Sequence, residues 1–103
     1  MPLWCEGSSP SEPTMKNHRL KTWPAPFQAL WEGRKTFEWR REDGRDFQVG
    51  DTLELSEWIP ENKTYTGRFI RAEVTYILHG GHFGVPDGFK VMSVKVFKLG
   101  VED

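Results

Sequence analysis

The sequence predicts a mainly β domain: a small barrel, mixed or antiparallel, of about five strands with one or two short helices. Period-two alternation of apolar residues recurs in separate stretches, at Leu53 and Leu55, at Ala72, Val74, Tyr76 and Leu78, and at Met92, Val94 and Val96. Helical spacing is confined to Phe27, Leu30 and Trp31, so strands and helices do not alternate as they would around a parallel sheet. The 103 residues are 37% hydrophobic and 14% aromatic, with seven Phe and five Trp, which suits a single modest core built from few but large side chains.

Residues 1–15 are rich in Ser, Pro and Glu and read as a flexible leader, with Met15 a candidate start; the domain is expected to span residues 16–100. His18 to Thr22 reads as a first strand, ended where Trp23 precedes Pro24 and is pushed to extended geometry. Pro24 and Pro26 then suit the start of a helix of about two turns, and Gly33 is placed for its left-handed cap. A central strand follows, reaching Arg40, and Gly44 marks a turn in the charged segment after it. Phe47 to Asp51 is a lead-in with a glycine turn, Thr52 to Trp58 a strand, and Pro60 to Lys63 a hairpin connection. Tyr65 to Leu78 is expected as one long, bent strand with Gly67 at a bulge. His79 to Phe89, with four glycines, reads as an ordered loop that walls the cleft and is anchored by Phe83. Lys90 to Lys98 is the last strand.

Fourteen Lys and Arg balance fifteen Asp and Glu, which excludes a protein that coats nucleic acid by bulk charge. Any such contact must be local, and Arg34, Lys35, Arg40, Arg41 and Arg45 crowd around the central strand against Glu38, Glu42 and Asp43. The single Cys5 forms no internal disulfide, so a reducing cytoplasm is expected. No apolar run approaches the ~20 residues of a membrane helix. His79 and His82 lack a carboxylate or cysteine at ligand spacing, so no metal and no other cofactor is expected. Ser56 and Ser93 have no recognisable base partner, and Asn62-Lys63-Thr64 is a sequon without a role in the cytoplasm.

The central strand carries the functional signal. In extended geometry Phe37 and Trp39 share the face expected to pack, while Thr36, Glu38 and Arg40 share the other. Turned inward, Glu38 and Arg40 would line a hollow suited to a small polar ligand; turned outward, they would form a solvated edge or a structural salt bridge. Glu38 could accept from a base amino group and Arg40 could grip a phosphate. Lys35 falls on the Phe37 side by strict alternation, but a turn in the backbone at the strand's start would aim it into the cleft. Lys21 and Trp23 border the same helix end, and Trp23 could stack on a base.

The stretch Gly33-Arg34-Lys35-Thr36-Phe37-Glu38-Trp39-Arg40 resembles the Gly-x-Lys-x-x-Glu-x-Arg signature of the ASCH domains, a branch of the PUA-like superfamily. Leu20-Lys21-Thr22-Trp23-Pro24, Phe47-x-Val49-Gly50-Asp51, Tyr65-Thr66-Gly67-Arg68, Val74 to Leu78, Gly80-Gly81-x-Phe83-Gly84 and Val91-Met92-Ser93 are similar to a small, largely uncharacterised ASCH-related family of bacteria and phages. The resemblance covers roughly Lys16 to Leu99. It implies a PUA-like barrel with a cleft beside the signature strand, and binding of RNA or a nucleotide, with a modified base within its range. The nucleotide-binding set is then Lys21, Trp23, Lys35, Glu38 and Arg40, in a monomer with no membrane association.

Some ASCH relatives are amidohydrolases of acetylcytidine that use the signature Lys, a Thr three residues later and a downstream Glu. Lys35 matches the first, Glu38 stands at the second, and no counterpart of the third lies between Leu78 and Val91. A small hydrolase of modified nucleosides, or a ribonuclease, is therefore the alternative, with its catalytic residues unassigned. A phage or host accessory domain that binds a protein partner through exposed aromatics is a third reading.

Overall fold

The computed structural model describes residues 15–102, so the expected leader lies outside the described residues except for Met15. Five strands and one helix follow in the order β1 (Asn17–Thr22), α1 (Pro24–Trp31), β2 (Phe37–Arg41), β3 (Thr52–Ile59), β4 (Thr64–His79) and β5 (Phe89–Val101). They form one curled, half-barrel sheet in the order β1-β3-β4-β5-β2. The β1/β3 pair is parallel and the other three are antiparallel. The expected mainly β barrel is thus the observed fold, and it is mixed because of β1 alone.

Alternation fixes the inner face. Leu20, Leu53, Leu55, Ile70, Ala72, Val74, Met92 and Val94 are buried there, with Phe27 and Leu30 of α1 and Phe47 closing the core. The expected alternation fails in the second half of β4. Val74 pairs with Val94 but Tyr76 pairs with Ser93, leaving Thr75 as an extra residue at a bulge. The side chains beyond it change face, so Ile77 is buried and Tyr76 is exposed. The other expected bulge, at Gly67, lies where the β3/β4 register shifts between Ser56 and Trp58, and Gly67 has φ +97°.

Helix α1 is too short to stand on propensity. Extended Trp23 precedes it, and Gly33, at φ +82°, donates to the Leu30 carbonyl at 3.1 Å. Arg68 on β4 anchors it from outside. Its guanidinium donates to both Glu57 oxygens at 2.9 and 3.0 Å and to Gln28 of α1 at 2.9 Å, and it lies over the Phe27 and Trp31 rings. The bonds from Arg68 hold the Glu57 carboxyl below the usual Glu range against the opposing effect of burial.

A second polar lock holds the start of β1. Asp51 accepts from the Lys16 N–H at 3.0 Å, the His18 ring at 2.8 Å and the Gln48 N–H at 2.9 Å. Burial pushes its carboxyl up, but these donors outweigh burial and the net displacement is downward. The glycine turn expected before β3 is what places Asp51 there, with Gly50 at φ +98°.

The sheet's outer strands, β1 and β2, are not paired with each other, but the curl brings them within reach of an arginine side chain and leaves a seam between them. Arginine side chains bridge this seam. Arg40 on β2 donates from Nη2 to the Lys21 carbonyl at 2.9 Å and to Thr22 Oγ1 at 3.3 Å, and Arg45 donates to the Arg19 carbonyl at 3.4 Å.

Candidate functional site

The seam is where the charged face of β2 meets the end of β1 and the entry to α1. Glu38 lies on the inner side of β2, only 2% exposed, and its two oxygens are held by different cations. Lys35 Nζ donates to Oε1 at 2.7 Å and Arg40 Nε to Oε2 at 2.9 Å. A buried carboxylate requires such partners, because an unpaired charge away from water costs several kcal/mol or more. The cations keep access to solvent, with the Lys35 and Arg40 side chains 19% and 24% exposed.

The backbone explains how Lys35 arrives. β2 begins only at Phe37, and the left-handed turn at Gly33 leads to Arg34 and Lys35 N–H groups that both donate to the Ala29 carbonyl, at 2.9 and 3.0 Å. Lys35 thus lies outside the strand's alternation, and its side chain reaches Glu38. The opposite face of β2 differs from expectation. Phe37 and Trp39 are 46% and 49% exposed instead of packed, because the charged side is the one turned inward.

All five residues singled out from the sequence, Lys21, Trp23, Lys35, Glu38 and Arg40, line one cavity of about 250 Å³, joined by Thr22, Pro26 and Trp39. Trp23 is 62% exposed at its rim, so its ring is free to stack and is not a core plug. Three cations face one carboxylate, which leaves the cavity net positive. Arg40 uses Nε and Nη2 for its bonds within the described residues, and its Nη1 amino group is spare.

Thr22 was not singled out from the sequence. It lies on the inward face of β1, two residues after buried Leu20, and its signals were that period and its place in the Leu20 to Pro24 motif. The His79 to Phe89 loop does not wall this cavity. None of its residues lines it, Phe83 is 87% exposed, and the loop's buried residue is Val85. The loop joins β4 to β5 at the Arg41 end of β2, beyond the glutamate, so the expected anchoring by Phe83 is corrected. Among the described residues no three His, Cys, Asp or Glu side chains gather as a metal site would need, and no helix is long and apolar enough to cross a membrane.

The chain is 38% identical over 60 residues to an uncharacterized 12.9 kDa protein from the GpA 3′ region of Escherichia phage P2. The aligned stretch is 58% of this chain and 52% of the phage protein, so the match spans about half the relative's length. A family model described as a domain of unknown function, DUF3850, matches residues 17–94, which take in β1, α1, β2 and the whole cavity lining, and the chain belongs to that family.

Proposed function

We propose that the chain is a PUA-like module that binds RNA, or a single modified nucleotide, in the cleft beside β2. The observation that carries this reading is the convergence of Lys21, Trp23, Lys35, Glu38 and Arg40 on one small net-positive cavity around a buried carboxylate. At about 250 Å³ it lies just below the ~300 Å³ at which drug-sized sites begin, and suits one base better than a larger ligand. Each Glu38 oxygen keeps a lone pair for a base amino group after taking its cation. Lys35 and the spare Arg40 amino group hold phosphate, and Trp23 stacks on the base. The resemblance of Gly33 to Arg40 to the ASCH signature supports the same ligand class.

The test is an NMR titration of labelled protein with plain and modified nucleosides, nucleotides and short single-stranded RNAs. Shifts centred on Lys21 to Trp23 and Lys35 to Arg40 are expected. Lys35→Ala and Arg40→Ala should each weaken binding and lower the salt slope by about one phosphate contact. An unchanged slope refutes the phosphate role, and shifts confined to other surfaces refute the site. The Lys35–Glu38 contact gives a reason to follow the ligand spectra over hours, since disappearance of acetylcytidine with wild type but not Lys35→Ala would make the site hydrolytic.

A further inference from the structure

Beside the first cavity lies a second, of about 410 Å³, lined by Arg19, Leu20, Lys21, Arg40, Arg45, Ser56 and Tyr65. It shares Lys21 and Arg40 with the first, so the two are adjoining halves of one groove along the β1/β2 seam. Four of its residues are cationic and none is acidic. Arg19 has a partner in Glu54 at 3.2 Å and Arg40 in Glu38, whereas no ion pair among the described residues engages Lys21 or Arg45.

The groove also has an aromatic on each side of the shared cations. Trp23 borders the first half, and Tyr65, 55% exposed, borders the second. Tyr65 stands edge-on to Trp58 at 4.8 Å, and the Trp58 ring holds Lys21 Nζ at 4.1 Å. These two aromatics are cross-strand partners at the β3/β4 hairpin, so Tyr65 and Lys21 are fixed by the same rigid element. Cations that follow a backbone, flanked by faces on which bases stack, form the pattern of single-stranded nucleic-acid sites.

We infer that the second cavity is a subsite for a neighbouring nucleotide, so that the ligand is a single strand of at least two nucleotides. This rests on the proposed nucleotide reading of the first cavity. Lys21 and Arg40 hold the phosphodiester between the two units, the Arg40 Nη1 group being spare for it, and Arg45 meets the next phosphate. Tyr65 stacks on the second base and Ser56 offers a hydroxyl to its sugar.

The test is calorimetric titration with each of the four ribonucleoside 5′-monophosphates, the matching ribohexamers and deoxyhexamers, and a glutamate hexapeptide. The best hexamer is expected to bind at least about tenfold tighter than its monophosphate, the contribution of one more stacked base. Arg45→Ala and Tyr65→Ala, both at exposed positions, should each bring that ratio down several-fold, and Arg45→Ala should reduce the hexamer's salt slope by about 0.7. Preference for the ribo- or the deoxyhexamer assigns the strand's chemistry, and either supports the two-unit groove. Equal affinity for monophosphate and hexamer overturns the inference while leaving the one-nucleotide reading intact. A glutamate peptide that matches the hexamers also overturns it, no binding by any of these plain nucleotides overturns it as well, and the same silence extended to the modified nucleosides of the NMR panel overturns both readings.

Discussion

Glu38→Ala is the most informative perturbation of the site, since this carboxylate organises both of its cations. Removing one partner of a fully buried ion pair costs about 3–5 kcal/mol, most of it the penalty for the charge left behind. Here the charges left behind are the Lys35 and Arg40 side chains, 19% and 24% exposed, so water recovers part of the loss. About 2 kcal/mol is expected after that discount. In a domain of this size 1 kcal/mol corresponds to roughly 4–8 °C, so Tm should fall by roughly 8–16 °C in thermal unfolding followed by circular dichroism at pH 7. Lys35→Met combined with Glu38→Leu should recover part of the loss, because an apolar pair of similar size leaves only Arg40 uncompensated and Arg40 keeps its bonds to Lys21 and Thr22. A Glu38→Ala protein within about 0.5 kcal/mol of wild type, the range of an ordinary surface change, would refute the buried-pair argument.

Other substitutions address the seam, the acid limb and the tight glycines. Arg40→Lys keeps the charge but loses the fork that reaches Lys21 and Thr22, so a loss of about 1–2 kcal/mol and faster amide exchange in β1 are expected; unchanged exchange would show that the bridge does not hold the strand. Asp51 and Glu57 both have carboxyls held below their ordinary values. Their contribution is complete above the unfolded-chain values near pH 4 and is lost as pH falls through the lower folded ones, so Asp51→Asn and Glu57→Gln should each flatten the stability profile below about pH 4, and parallel acid limbs would contradict the linkage. Gly80→Ala places a Cβ against the backbone carbonyls of Pro86 and Phe89, the latter at 2.6 Å, and Gly100→Ala places one against the Phe69 ring. Each should lose about 1–3 kcal/mol in urea unfolding, with Gly80 the worse because backbone cannot step aside as a ring can.

The strands were legible because alternation and glycine turns are local signals. β3 and the Pro60 to Lys63 turn follow directly from them, as does the cap at Gly33. The second half of β4 was not legible, since whether Thr75 enters the ladder depends on the register with β5, which no single segment contains. Phe37 and Trp39 misled for a related reason. Their alternation with Glu38 defined two faces but not which one turned inward, and paired cations reversed the usual preference. The five site residues were read in part from alternation and in part from a family resemblance. Arg45 was visible only as one of a cluster of cations and Tyr65 only within the Tyr65-Thr66-Gly67-Arg68 motif, neither as a groove residue, because each reaches the groove from a turn or a hairpin end whose position only the curled sheet determines. The polar locks Asp51–His18 and Glu57–Arg68 join residues 33 and 11 positions apart and were invisible for the same reason.

The arginine-bridged seam also bears on how the protein behaves in a crowded solution. An outer strand with free carbonyls is a template for another chain, and small β proteins are exposed to that hazard at each end of an open sheet. Here the Arg19 and Lys21 carbonyls of β1 are engaged by Arg45 and Arg40, whose guanidinium groups end the hydrogen-bonding array and extend no further strand. The cations that line the groove therefore also occupy two of the β1 carbonyls that an added strand would need. Removing Arg40 and Arg45 would free the Lys21 and Arg19 carbonyls that another strand could use, so both arginines have a structural reason to stay apart from any role in binding.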